Sequence, residues 1–241
     1  MSPVSVGVFN YAVGGRIDPD QLADPDDQSS LFQNLPGTTL SGALAWVHGS
    51  AGQTLGMKPG QYRQAGQGLA LRVAIADSSL GAVLVAESEN GICAVAMGDD
   101  PDALLGDFEQ EFSGAELLPG NKAFEKRVAM VITLIDAPLG TQTPLPDALP
   151  VDIRGTAFQE QVWAALRAIP AGQTLSYQAL AETLGRPTAA RAVARACASN
   201  RLAVLVPCHR IVRADGGLSG YRWGVERKAA LLAREQGNKK A

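Results

Sequence analysis

The chain has 241 residues, 46% of them hydrophobic and 5% aromatic, and a net charge of −3, which describes a globular protein able to bury one large core or two modest ones. No run approaches the roughly 18 apolar residues of a membrane span, and the first twenty residues lack the basic start and apolar stretch of a secretory signal; no membrane association and a cytoplasmic location are expected. Three widely spaced cysteines (Cys93, Cys197, Cys208) and two histidines (His48, His209) speak against a disulfide framework and a zinc site, so neither a metal nor another cofactor is expected.

Residues 1–66 are rich in Gly, Pro, Ser and Gln, crowd Asp18, Asp20, Asp24, Asp26 and Asp27 together, and show no sustained period; a poorly structured extension is expected. From residue 69 onward LALRVAIADS, GAVLVAES and GICAVAMG are short apolar runs separated by SSLG and ENG, the pattern of a three-stranded antiparallel meander. Residues 102–112 and 123–135 carry apolar side chains at helical spacing. Residues 67–148 therefore read as a small antiparallel sheet domain with helices packed on it. Its end, residues 137–150, contains four prolines and reads as a linker.

Residues 149–236 read as a second, helical domain, followed by a short tail at 237–241, so the fold class is α/β (α+β). Its first helix places Phe158, Val162, Leu166 and Ile169 on one face and ends near Pro170 and Gly172. Ser176 can cap a second helix, YQALAETL, which Gly185 and Pro187 stop, and Thr188 can cap a third, AARAVARACA. Two short helices with a tight turn between them make a helix-turn-helix unit, with Arg191 and Arg195 one turn apart on the second. Helix pairs are common, so the spacing alone is a weak signal. Charge adds to it. Residues 151–241 hold 14 Lys/Arg against 6 Asp/Glu, a net of +8, while residues 1–150 hold 7 against 18, a net of −11. A basic C-terminal part suits a phosphate backbone, although a solvated surface explains the charge equally well.

The chemistry concentrates in RLAVLVPCHRIVR, an apolar run that delivers Pro207, Cys208 and His209. A thiol is a strong nucleophile only when ionised, and a neighbouring imidazole can take its proton directly or through a water. Adjacent residues of an extended chain point to opposite sides, so Cys208 and His209 need a bend to cooperate, and Pro207 favours one. Cys93 and Cys197, by contrast, read as small buried hydrophobes.

The stretch PCHRIVRADGGLSGYRWG, preceded by RAVARACASN and SYQALAETLG, resembles the active-site region of the O6-alkylguanine-DNA alkyltransferases, most of all the C-terminal part of the bacterial Ada protein. The resemblance extends back through VDIRGTAFQEQVW and VAESENGICAVAMGDD and covers residues 67–236 or so. It implies a ribonuclease H-like first domain, a monomer, and double-stranded DNA carrying O6-alkylguanine as partner. Cys208 would accept the alkyl group, His209 would act as base through a water, and Glu235 would orient His209. A carboxylate so near a helix C-terminus is mildly unfavourable and calls for a partner. Asn200 would brace the turn before the nucleophile, where helix capping is its simpler role. Tyr177 would donate its hydroxyl to N3 of the flipped guanine, Tyr221 would line the pocket beside the alkyl group, and the backbone around Ile211 and Arg222 would read the base edge. Arg191 would fill the vacated stack. Relatives that bind the lesion without removing it carry Trp where this chain has Cys208, which favours the enzyme. Of the modules that precede this region in Ada, only TLGMKPGQYRQAG (54–66) resembles a part, the tail of an AraC-type unit, so Ada's regulatory role is not implied.

Overall fold

The computed structural model describes residues 66, 68–136 and 149–237. The extension up to residue 65, most of the linker (137–148) and the last residues of the tail (238–241) lie outside the described residues. Three strands, β1 (Ala70–Ser78), β2 (Gly81–Ser88) and β3 (Gly91–Gly98), form the expected meander. Helix α1 (Pro101–Glu111) starts on an Asp100 cap whose side chain accepts from the Asp102 amide, with Pro101 in the first turn where its missing N–H costs nothing.

The sheet is mixed, which corrects the antiparallel expectation: after α1 the short strand β4 (Glu116–Leu118) joins β1 in parallel, giving the order β3-β2-β1-β4. Three residues are too few to show a period, and a parallel neighbour is set by a crossover helix rather than by local sequence. Helix α2 (Lys122–Asp136) buries Phe124, Val128, Val131, Ile132 and Ile135 along one stripe. Even-numbered Ala74 and Ala76 of β1 and odd-numbered Val83 and Val85 of β2 face α2, while Leu71, Ile75, Ala82 and Leu84 face Phe108 and Phe112 at the other side. Both faces of the sheet are covered, and the strands accordingly read as nearly unbroken apolar runs.

In the second half α3 (Ala157–Arg167) opens with a reciprocal cap between Thr156 and Gln159. Then come β5 (Leu175–Ser176), α4 (Tyr177–Thr183), α5 (Ala190–Ala198), a 3-10 turn at Cys208–Arg210, β6 (Ile211–Val212) and α6 (Val225–Gly237). Ser176 caps α4 as expected, its Oγ accepting from the Ala179 amide at 3.0 Å. Thr188 does not cap α5: Ala189 occupies the cap position with no side-chain bond, because the Ala189 amide closes a turn onto Arg186 first. The apolar run ahead of Cys208 is a series of turns rather than a strand.

Val162, Leu166, Leu180, Val193, Leu205 and Ile211 share one continuous core with Val83, Val95 and Phe124 of the first half. Two main-chain links join the halves along β3. The Ile92 amide donates to Pro150 and the Asp152 amide to Ile92, while the Val95 amide donates to Arg201 and the Ala203 amide to Val95, all at 2.8–3.0 Å. Gly91 permits the first link, since a Cβ there would lie 2.4 Å from the Pro150 carbonyl oxygen.

Candidate active site

The segment that carries Cys208 is shaped by one side chain. Asn200 follows α5; its Oδ1 accepts from the Leu202 amide at 2.9 Å and its Nδ2 donates to the Val206 carbonyl at 2.8 Å, so a single amide clamps a seven-residue turn from inside. Within the clamp the chain reverses in two tight steps. The Leu205 amide bonds to Ala203 across Val204, a β-branched residue at φ 58°, and the Cys208 amide bonds to Val206 across Pro207 at φ −78° and ψ 61°. These are γ-turns of opposite hand, and the one at Val204 is the strained form. Val95 of β3 holds the same segment from outside.

Cys208 emerges buried, with 6% of its surface exposed, and its Sγ accepts a second hydrogen from Asn200 Nδ2 at 3.2 Å. Burial pushes the thiol up to about 11, against the pull of the Asn200 bond and the Lys228 charge. The 3-10 turn supplies the bend that the sequence required between Cys208 and His209. His209 is buried, and its Nε2 lies 2.9 Å from Glu235 Oε1. Burial lowers the imidazole below its ordinary value despite that carboxylate. Its Nδ1 is buried with no hydrogen-bond partner among the described residues.

Glu235 has the partners its position called for. It accepts from His209, from Arg210 Nε and Nη2 at 2.9–3.1 Å and from the Gly172 amide at 3.0 Å. Burial alone would raise its carboxyl, but the bonds from His209 and Arg210 hold it down at about 2. Arg210 in turn donates to the Ile169 carbonyl.

In front of Cys208 lies a cleft of about 370 Å³, lined by Tyr177, Ala194, Cys197, Tyr221 and Arg222 besides Cys208 itself. The Tyr177 hydroxyl pairs with Ser219 Oγ at 2.8 Å. Tyr221 leans edge-on against Trp223 with ring centroids 5.0 Å apart, and its hydroxyl is buried without a partner among the described residues. Arg222 is exposed at the rim and reaches Glu111 of α1. Arg191 and Arg195 are exposed on α5 and form no ion pair among the described residues. Arg191 precedes Ala194 of the lining by three residues, so both lie on one side of the helix. Ile211 lies off the lining, fully buried, with its carbonyl accepting from Lys228 Nζ at 2.5 Å.

This arrangement invites comparison with proteins of known kind. Residues 71–133 match the family described as 6-O-methylguanine DNA methyltransferase, ribonuclease-like domain, and residues 157–237 match that protein's DNA binding domain. The structure of Mycobacterium tuberculosis OGT in complex with DNA is similar at 32% identity and a TM-score of 0.56, over 70% of this chain and 94% of that one. The chain belongs to the 6-O-methylguanine DNA methyltransferase family. Its similarity to the Escherichia coli bifunctional transcriptional activator/DNA repair enzyme Ada is 54% identity over 188 residues, 78% of this chain and 52% of Ada. The methylated-DNA--protein-cysteine methyltransferase of Shigella flexneri is 52% identical over 89 residues, 37% of this chain and 52% of that protein. The chain thus spans about half the length of the curated relatives it matches.

Three residues around this candidate site were given no role in the sequence reading, Arg210, Ser219 and Lys228, while Cys197, read as a small buried hydrophobe, is buried and lines the cleft. One of them was findable. Lys228, Leu231, Leu232 and Glu235 fall on a single helical stripe, and charged residues at both ends of a buried stripe mark side chains with inward work.

Proposed function

We propose that this chain removes an alkyl group, methyl foremost, from O6 of guanine in double-stranded DNA and keeps it on Cys208. The observation that carries the reading is the amide hydrogen that Asn200 aims at Cys208 Sγ at the floor of an open cleft. At rest the thiol and the imidazole are both neutral and Glu235 is ionised. A water between Sγ and Nδ1 passes the thiol proton to His209, and Glu235 stabilises the imidazolium that forms. The thiolate, steadied by Asn200, attacks the carbon bonded to O6 in line; the S–C bond forms, the C–O6 bond breaks with its electron pair going to guanine, and the Tyr177 hydroxyl supplies a proton at N3. A thioether is stable, so one molecule repairs one lesion.

Delivery of the base is assigned to the exposed face of α5: Arg191 fills the vacated stack and Arg195 meets the phosphate backbone, while Tyr221 flanks the alkyl group and the backbone near Ile211 and Arg222 reads the base. The chain acts as a monomer in the cytoplasm, with residues 67–148 and 149–236 as its two domains. No helix among the described residues is long and apolar enough to cross a membrane. Intact-mass spectrometry after incubation with a duplex carrying O6-methylguanine tests the reading: one methyl adduct per chain, mapped to Cys208, is expected. Tight binding of that duplex with no mass change would make the chain a lesion-binding protein instead.

A further inference from the structure

Helix α6 sends Lys228 into the protein, where the residue is fully buried. Its Nζ donates to the Ile211 carbonyl at 2.5 Å, to Ser219 Oγ at 3.0 Å and to the Ser219 carbonyl at 3.4 Å. Among the described residues no carboxylate pairs with it. A buried ammonium without a counter-charge is costly, so its position calls for a function. Around it the titratable groups are the thiols of Cys208 and Cys197, the His209 imidazole and, across Ser219, the Tyr177 phenol.

An ammonium only donates, so Ser219 Oγ is the acceptor in that bond. Ser219 Oγ and Tyr177 Oη lie 2.8 Å apart and either can donate; in the arrangement where the serine hydrogen goes to Tyr177 Oη, the phenol hydrogen is free to point into the cleft. In that arrangement the three groups form a chain with one polarity, from the cation to the mouth of the site.

We propose that Ser219 is a relay residue that connects the Lys228 ammonium to the departing base through Tyr177. The inference rests on the alkyl-transfer reading above. As the C–O6 bond breaks, Tyr177 gives its proton to guanine N3, Ser219 gives its proton to Tyr177, and Lys228 gives one to Ser219. The base leaves neutral and both hydroxyls are restored; in the chain the Cys208 thiol has become a thioether, His209 holds the thiol proton, and Lys228 has gone from ammonium to amine. Burial raises the Tyr177 phenol, which makes it a poor acid alone, and burial lowers the Lys228 ammonium, which makes it a better acid than a surface lysine. Ser219 acts through Tyr177 and is a positioning residue.

The test compares two alkyl donors on the full chain: duplex O6-methylguanine, whose leaving base needs a proton, and iodoacetamide, whose leaving iodide does not. Ser219→Ala should slow methyl transfer about 10- to 100-fold and leave the iodoacetamide rate of Cys208 unchanged. Ser219→Thr keeps the hydroxyl and should restore most of the loss. Ser219→Cys, close in size and a weak donor, should fall between and stands in if the alanine variant does not fold. Lys228→Met should slow both reactions, because it removes the proton source and also the positive charge near the thiolate. Full methyl-transfer rate in Ser219→Ala, or equal slowing with both donors, overturns the relay. A wild-type chain that takes no methyl from the duplex overturns the alkyl-transfer reading itself, and that is seen before any variant is made.

Discussion

Two thiols in this molecule have nearly the same resting chemistry and opposite surroundings. Burial pushes Cys93 up to about 12 and Cys208 up to about 11. Cys93 Sγ donates to the Ala86 carbonyl at 3.4 Å and faces the carboxylates of Asp152 and Glu87, which prefer its neutral form, while Arg154 and a backbone hydrogen bond pull the other way. Cys208 Sγ accepts from Asn200 and faces the Lys228 ammonium, so its neighbours prefer the anion. The proposed nucleophile is therefore marked by what awaits its developing charge, rather than by a low pKa at rest.

The largest effect expected from this comparison is Cys208→Ser, which should abolish methyl transfer while binding to the alkylated duplex remains, whereas Cys93→Ser should transfer at the unmodified rate. Adduct mapping decides it: a methyl group on any residue of Cys208→Ser would break the contrast. Next, Asn200→Asp replaces the donor by a carboxylate and makes the Cys208 site resemble that of Cys93; transfer should fall about 10²- to 10³-fold in single-turnover kinetics. Arg191→Ala separates chemistry from delivery. Repair of a duplex should slow roughly 5- to 150-fold, while transfer from an O6-alkylguanine in a short single strand should stay near the unmodified rate.

Smaller effects follow from proton linkage. If a pre-ionised thiolate with a pKa of about 11 did the work, the transfer rate would rise about tenfold per pH unit between pH 7 and 9. Internal proton transfer to His209 predicts a nearly flat profile over that interval. Stability should follow the same groups. Glu235 is lowered to about 2 from 4.5, so its contribution is complete above pH 4.5 and is lost as pH falls towards 2; His209, lowered from 6.5, must be charged for unfolding to win and adds a loss below pH 6.5. Cys208 is raised from 9.0, so its contribution is present below pH 9 and lost as pH rises towards 11. Glu235→Gln should cost about 1–3 kcal/mol at neutral pH and flatten the acid limb in denaturation curves; an unchanged limb would remove Glu235 from the account.

The elements with a long period were legible in the sequence: β1–β3, α2 and α3 each repeat their apolar residues often enough to be read. What escaped was set by contacts distant in sequence. β4 exists only because β1 offers it an edge, and the turns before Cys208 exist because Asn200 holds them, although their composition, apolar and β-branched, reads as a strand. The proposed site shows the same division. Cys208, His209 and Tyr177 are proposed from a motif, whereas Ser219 and Lys228 enter the proposal only because a loop and a helix bring them to one hydroxyl.

β3 has a consequence beyond catalysis. It has one strand neighbour in the sheet, β2, and its far side would present free amides and carbonyls to any other extended chain. Ile92 and Val95 occupy that side with residues 150–152 and 201–203, so the C-terminal half serves as the cover of an adhesive rim. A chain cut between the halves would uncover this rim, and self-association of the sheet half into aggregates should accompany the loss of activity.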